Sequence, residues 1–287
     1  MARAPAASLA AVLAAAAVLA GCAAPAAQPR AAAGGGWSPR DKVVALNLAG
    51  ASVALGWGVW SWEWGESGPR LQDEGWFGRA TTEGGADKLG HAWTGYALGH
   101  LFSRQYERWG HAEAEAARMG ALSSFGIMGL VEVGDAFSDV YGFSVQDFLF
   151  NTVGAGAAWL LWRDDDLARK LDFRVEYDPF AAGDHQVDAF TDYDRLRYLL
   201  ALKAEGFAAI ENPLLRNLEL HLGYYARGYS DAGPAGGADP RRRNLYVGVG
   251  LNLSRLLSPH LPENPGTDVL HYVQLPYAYV PVTVARD

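Results

Sequence analysis

The 287-residue chain has one cysteine and no basic tail. A single thiol leaves no internal disulfide, no Cys-type zinc site and no iron–sulfur cluster. The 24 basic residues are outnumbered by 32 acidic ones, for a net charge of −8. Nucleic-acid binding as a main function is thereby excluded, because phosphate contact needs a positive field. H-E-x-x-H, G-x-S-x-G and a phosphate loop are all missing, and Gly248-Val-Gly250 falls inside a strand pattern. What is present is apolar. Hydrophobic residues make up 50 % and glycine 34 positions, which excludes disorder for most of the chain. The length suits about two domains.

The N-terminus sets the compartment. Residues 1–21 carry one charge, Arg3, and then the apolar run Leu9 to Leu19, the layout of an export signal. The run ends in Leu19-Ala20-Gly21-Cys22, which resembles the lipobox of bacterial lipoproteins. That resemblance implies acylation of Cys22, which becomes the first mature residue and anchors the protein to a membrane. A mature Ala23 in place of aspartate implies sorting to the outer membrane, facing the periplasm. Residues 22–36 are Ala-, Pro- and Gly-rich and are expected to form a flexible tether. Loss of the signal leaves 23 basic against 32 acidic residues, a net of −9.

The rest of the chain divides by composition. All ten tryptophans lie at or before Trp162, whereas ten of the thirteen tyrosines lie beyond it. The charged patch Arg163 to Lys170 sets a boundary near 163–172, between a helical domain (37–162) and a strand-bearing region (173–287). In the first part, Val43 to Trp62 is 20 residues without a charge. Trp57, Trp60 and Trp64 follow helical spacing, suiting either a membrane-interface anchor or a core stripe. Lys88–Tyr106, Glu113–Val133 and Val145–Trp162 are further Gly- and Ala-rich helices that can approach closely. In the second part, period-two alternation over Leu218–Tyr224 and Leu245–Ser254 predicts strands, with shorter strands at Phe173–Tyr177 and Tyr272–Tyr279. Thr191–Glu205 has a capping box and a stop at Gly206, which predicts a helix. The expected class is α+β: a bundle of about four apolar Gly-rich helices, then antiparallel strands with one helix.

Polar residues recur on the apolar helices. Asp87 and His91 are spaced i, i+4, and Lys88 shares their face. Glu132 follows the apolar run Phe125–Val131, with Asp135 and Asp139 close behind. Asp147 and Asn151 are again i, i+4, with Gly154 on the same stripe. Charges among apolar helices are costly unless they pair or bind something. Asp87, His91, Glu132 and Asp147 are therefore the candidate catalytic residues, with Lys88 and Asn151 as candidate ligand contacts. Asp87, His91 and Glu132 are candidate metal ligands. Each also has a structural role open to it: Asp147 as part of a Ser144 capping box, Asp87 as a first-turn carboxylate, His91 as a core histidine. The other histidines have no partner at ligand spacing.

Two segments carry a family resemblance. Asp87-Lys88-Leu89-Gly90-His91 and Ser144-Val-Gln-Asp147-Phe-Leu-Phe-Asn151-Thr-Val-Gly154-Ala155, with Glu132 between them, resemble the YfiM-like family of uncharacterised periplasmic lipoproteins. They resemble more distantly the membrane-embedded VanZ-like proteins of glycopeptide resistance. Trp76-Phe77-Gly78 and Thr82 add to the likeness, which covers about residues 75–162. It implies a shared polar site and assigns no reaction or cofactor. The leading expectation is a cell-envelope lipoprotein whose helical domain binds a lipid or glycolipid or supports envelope integrity. One alternative is a metal-dependent or acid/base hydrolase of an envelope lipid. Another is outer-membrane β-structure, although four or five strands fall short of the eight that usually close a barrel.

Overall fold

The computed structural model describes residues 36–178, 180, 191–229, 239–257 and 269–286. The export signal, Cys22 and nearly all of the tether lie outside the described residues. Four long helices come first: α1 (Pro39–Ser61), α2 (Ala86–Arg108), α3 (Glu113–Asp135) and α4 (Val145–Arg163). A short α5 (Asp165–Ala168), capped by Asp164, leads into a five-stranded antiparallel sheet of sequential order. Its strands are β1 (Leu171–Tyr177), β2 (Leu196–Lys203), β3 (Leu218–Arg227), β4 (Arg242–Leu251) and β5 (Tyr279–Arg286). One short helix, α6 (Leu253–Leu257), follows β4. The class is the α+β arrangement expected.

Local chemistry sets the helix starts. Ser38 opens α1 with a reciprocal capping box to Asp41 and Pro39 at the first position. Ser144 opens α4 by accepting from the Asp147 N–H at 3.2 Å. Within the bundle, α2 is central and packs against both α3 and α4. The α2–α4 crossing is close enough to touch backbone. A Cβ on Gly154 would lie 2.1 Å from the Ala92 carbonyl oxygen, and one on Gly95 would lie 3.2 Å from that of Asn151. By length and composition α1 and α3 could each cross a membrane, but 6 % of the apolar window of α1 is buried against 39 % for α3. α1 therefore lies on the outside of the bundle.

The tryptophan stripe divides. α1 stops at Ser61, so Trp64 lies beyond it and folds back to be buried against Gly58 and Gly134. Trp60 stays on the helix, well exposed, in edge contact with Trp57.

The helix expected over Thr191–Glu205 is not formed. Thr191 to Asp194 leads only into a 3-10 turn at Tyr193–Arg195, and Leu196–Lys203 is strand β2. β2 lies between β1 and β3 and hydrogen-bonds to both, so tertiary pairing overrides the weak helical preference of its Leu, Ala and Lys residues. The strand expected at Tyr272–Tyr279 begins instead where that segment ends, because an isolated bridge at Val273 and a turn at Pro276–Tyr277 occupy its length. β5 is still an edge strand, with a bulge opposite Val247/Gly248.

Helices and sheet share a core. Ala86, Leu89 and Trp93 of α2 pack against Phe173, Val175, Leu196, Tyr198 and Ala226. The Trp76–Phe77 segment bridges them, touching Phe150 of α4 and Tyr224 of β3. Residues 272–274 return to β1: Val175 N–H donates to the Tyr272 carbonyl, and Gln274 N–H donates to the Val175 carbonyl, each at 2.8 Å. The free edge of β1 is thereby partly covered and the sheet is curled.

The helix crossing is testable with two alanines of opposite sign. Gly154→Ala should destabilise by about 1–3 kcal/mol, because backbone must move to admit the methyl group. Gly156→Ala, where nothing lies within 4 Å, should stabilise by up to about 1 kcal/mol. Thermal unfolding of the two variants beside wild type checks both signs.

Candidate functional site

The polar residues of α2, α3 and α4 meet on the inner side of the bundle. The Lys88 ammonium lies 2.7 Å from Asp87 Oδ2, 3.4 Å from Asp147 Oδ1 and 3.5 Å from Glu74 Oε2. Next to it on α2, His91 Nδ1 lies 3.2 Å from Glu132 Oε1 and 3.1 Å from Asn151 Oδ1. Asn151 closes the triangle by donating from Nδ2 to Glu132 Oε1 at 2.9 Å. Lys88, Asp87, Glu132, Asp147 and Asn151 are all buried, whereas the His91 side chain is 17 % exposed. All six residues singled out from the sequence are thus in one polar centre. The third carboxylate partner of Lys88, Glu74, lies in the loop before α2 and was missed. That loop has no periodicity to place its side chains.

Several structural roles resolve in detail. Ser144 caps α4 through the Asp147 backbone, which leaves the Asp147 carboxylate free to turn toward Lys88. Asp135 accepts from the Trp64 indole at 2.7 Å and so anchors the folded-back loop, and Asp139 is at the exposed surface. The three carboxylates close enough to share a cation are Glu74, Asp87 and Asp147, whose ligand atoms lie within 4.8 Å of one another. Lys88 already sits among them. The imidazole is turned toward Glu132 instead, so the expected ligand set Asp87, His91 and Glu132 does not form such a group. Asp87 Oδ1 has no hydrogen-bond partner among the described residues.

Electrostatics divide the centre in two. Burial penalises the Lys88 ammonium, but Asp87 and Asp147 outweigh it and raise its pKa. Burial and the adjoining Asp147 push Glu74 well up, so it is the carboxyl that keeps its proton. Burial opposes ionisation of Asp147 too, yet His91, Glu74 and Lys88 hold it below the usual range. On the other side, burial alone would lower His91, and the Glu132 carboxylate, then Asp147 and Asp87, raise it. Glu132 is pushed up to about 7 by burial, against the pull of His91. A histidine raised by its neighbouring carboxylates and a glutamate pushed up to about 7, 3.2 Å apart, can exchange a proton with a bound group.

Two other polar features lie apart. The inner face of the sheet holds Arg174 between Asp172 (2.5 Å) and Glu219 (2.7 Å), with Lys203 2.8 Å from Asp172 and His221 2.7 Å from Glu219. Asp172/Arg174 and Glu219/His221 are i, i+2 neighbours on one strand face, and strand pairing adds the Arg174–Glu219 and Lys203–Asp172 contacts that spacing hid. At the helix–sheet junction, a cavity of about 320 Å³ is lined in part by Tyr96, His100, Trp162, Asp172, His271 and Tyr272. No residue of the polar centre lines it.

Residues 73–163 match the model of a family described as a predicted periplasmic lipoprotein (DUF2279). The matched segment, about a third of the chain, contains every residue of the polar centre. The similarity supports an envelope-associated lipoprotein held to a membrane. No curated protein and no solved structure matches.

The raised value of Glu132 has a fixed sign for stability. Its folded pKa of about 7 exceeds the ordinary 4.5, so its contribution is complete below about 4.5 and lost as pH rises through about 7. Wild type should therefore lose stability relative to Glu132→Gln between pH 5 and pH 8. Paired thermal melts across that range check it, and a constant gap would show that Glu132 ionises as it does in the unfolded chain.

Proposed function

We propose that this chain is an outer-membrane lipoprotein, anchored at Cys22, whose polar centre binds the headgroup of an envelope lipid or glycolipid. One observation carries the reading: six residues from three helices form two adjoining buried clusters, one around Lys88 and one of His91, Glu132 and Asn151, and the second reaches solvent at His91. His91 Nδ1 is held by Glu132 and Asn151, while Nε2 has no partner among the described residues. A charged imidazole with an outward N–H suits a phosphate or a sugar hydroxyl. Lys88 lies behind it, its charge already met by Asp87 and Asp147. The resemblance to YfiM-like and, more distantly, VanZ-like proteins rests on these same residues and supports a shared role for them.

A second reading is an acid/base hydrolase acting on such a lipid, favoured by the near-neutral Glu132 beside His91. In that case the pair would transfer a proton to the leaving group, with Asn151 fixing the imidazole.

Wild type and His91→Ala, purified in parallel from the same membranes in the same detergent, separate the readings. Extracted lipid should include one class retained by wild type and reduced at least about fivefold in the variant, the loss expected for about 1 kcal/mol. Equal lipid in both would remove the binding reading. Conversion of that lipid by wild type, absent in His91→Ala, would establish the hydrolase.

A further inference from the structure

One face of the sheet is apolar along its length: at one end Val175, Leu196 and Tyr198 pack against α2, and beyond them the face is uncovered. Cross-strand pairing puts Leu200 beside Leu222, Leu202 beside Leu220, Leu220 beside Val249 and Leu218 beside Leu251. Leu200, Leu202, Leu220, Leu222, Val249 and Leu251 therefore share one face, and each is 37 to 48 % exposed. On the opposite face Arg174, Lys203, Glu219 and His221 are at most 3 % exposed. An antiparallel sheet with one face in water keeps its apolar side inside and its charges outside. The reverse arrangement, apolar outward and polar inward, is the one that lipid stabilises.

We propose that the outward apolar face of β2, β3 and β4 docks against the acyl-chain layer of a bilayer leaflet. Three observations favour lipid over a second copy of the chain. The exposed stretch of this face carries only leucine and valine at its paired positions on β2, β3 and β4, which gives a protein partner no polar group to recognise. Apolar exposure also continues on elements away from the sheet, at Val44, Leu48 and Val59 of α1 and at Val145 and Val153 of α4. A dimer through the sheet would leave those in water, whereas a bilayer can meet several surfaces. Third, only 16 residues separate Cys22 from Pro39. At about 3.5 Å per residue that tether reaches at most roughly 60 Å, which keeps the body beside the anchored leaflet. The five strands among the described residues, of 7 to 10 residues each, fall short of the eight that usually close a spanning barrel, so the proposal lays the face on the leaflet. The polar centre plays no part in this proposal.

Full-length lipidated protein carrying Leu222→Cys, Val249→Cys or, as a control at an exposed polar site, Glu211→Cys would be labelled with an environment-sensitive nitrobenzoxadiazole dye. Unmutated protein treated identically gives the blank for Cys22, and circular dichroism selects folded variants. On vesicles of phosphatidylethanolamine and phosphatidylglycerol, dye at positions 222 and 249 should shift to the blue. It should also lose most of its intensity when the acyl chains are brominated, while dye at 211 does neither. Unchanged emission at 222 and 249 on vesicles overturns the proposal. A blue shift without vesicles that grows with protein concentration also overturns it, by showing a second copy on the face.

Discussion

The backbone contact between α2 and α4 sets the rest of the helical half. Gly154 lets α4 approach the Ala92 carbonyl, and Gly95 accepts the backbone of Asn151 in return. Helices this close leave no room between them for long apolar side chains. Residues flanking the contact on the same stripes, His91 on α2 and Asn151 and Asp147 on α4, are therefore brought within hydrogen-bonding distance of α2 and α3 partners. A larger residue at 154 would separate the helices and lengthen the Lys88–Asp147 and His91–Asn151 contacts that cross between them. The glycine-rich character of these helices is thus a requirement of the polar network.

The chain buries two ionic networks, and their charge balance differs. In the sheet, Asp172 and Glu219 face Arg174 and Lys203, so the charges compensate with no outside group. In the bundle, Glu74, Asp87, Asp147 and Glu132 face only Lys88 and His91. The excess of carboxyl groups is met by protonation: burial raises Glu74, and Glu132 rises to about 7. A buried network that compensates itself has a structural role, whereas one that holds protons near neutrality is suited to respond to a ligand. Both networks reach solvent, the bundle's at His91 and the sheet's at His271, so it is the proton balance that separates them.

Much of this was legible in the sequence because helices report their neighbours through spacing. Asp87 with His91, and Asp147 with Asn151, keep the i, i+4 relation in the structure, and α2 to α4 lie within a few residues of their expected limits. Glu74 was not legible, since a loop side chain is placed by its contacts and has no periodicity. Strand β2 was misread because Leu, Ala, Lys and Arg favour helix in isolation, while ladders with β1 and β3 decide the outcome. The alternation over Leu218–Tyr224 identified a strand but could not say which of its faces would be buried. The charged face is the buried one, and the Asp172 partner of His271, far away in sequence, became visible only then.

Coupling of His91 to Glu132 across the α2–α3 contact is the claim on which the functional reading rests. Nitrogen-15 NMR of selectively labelled histidine, titrated from pH 5 to pH 9, observes it directly. The account predicts that His91 titrates above its ordinary 6.5 and shifts downward in Glu132→Gln. A His91 that titrates at or below 6.5 in wild type, unmoved by Glu132→Gln, would contradict it.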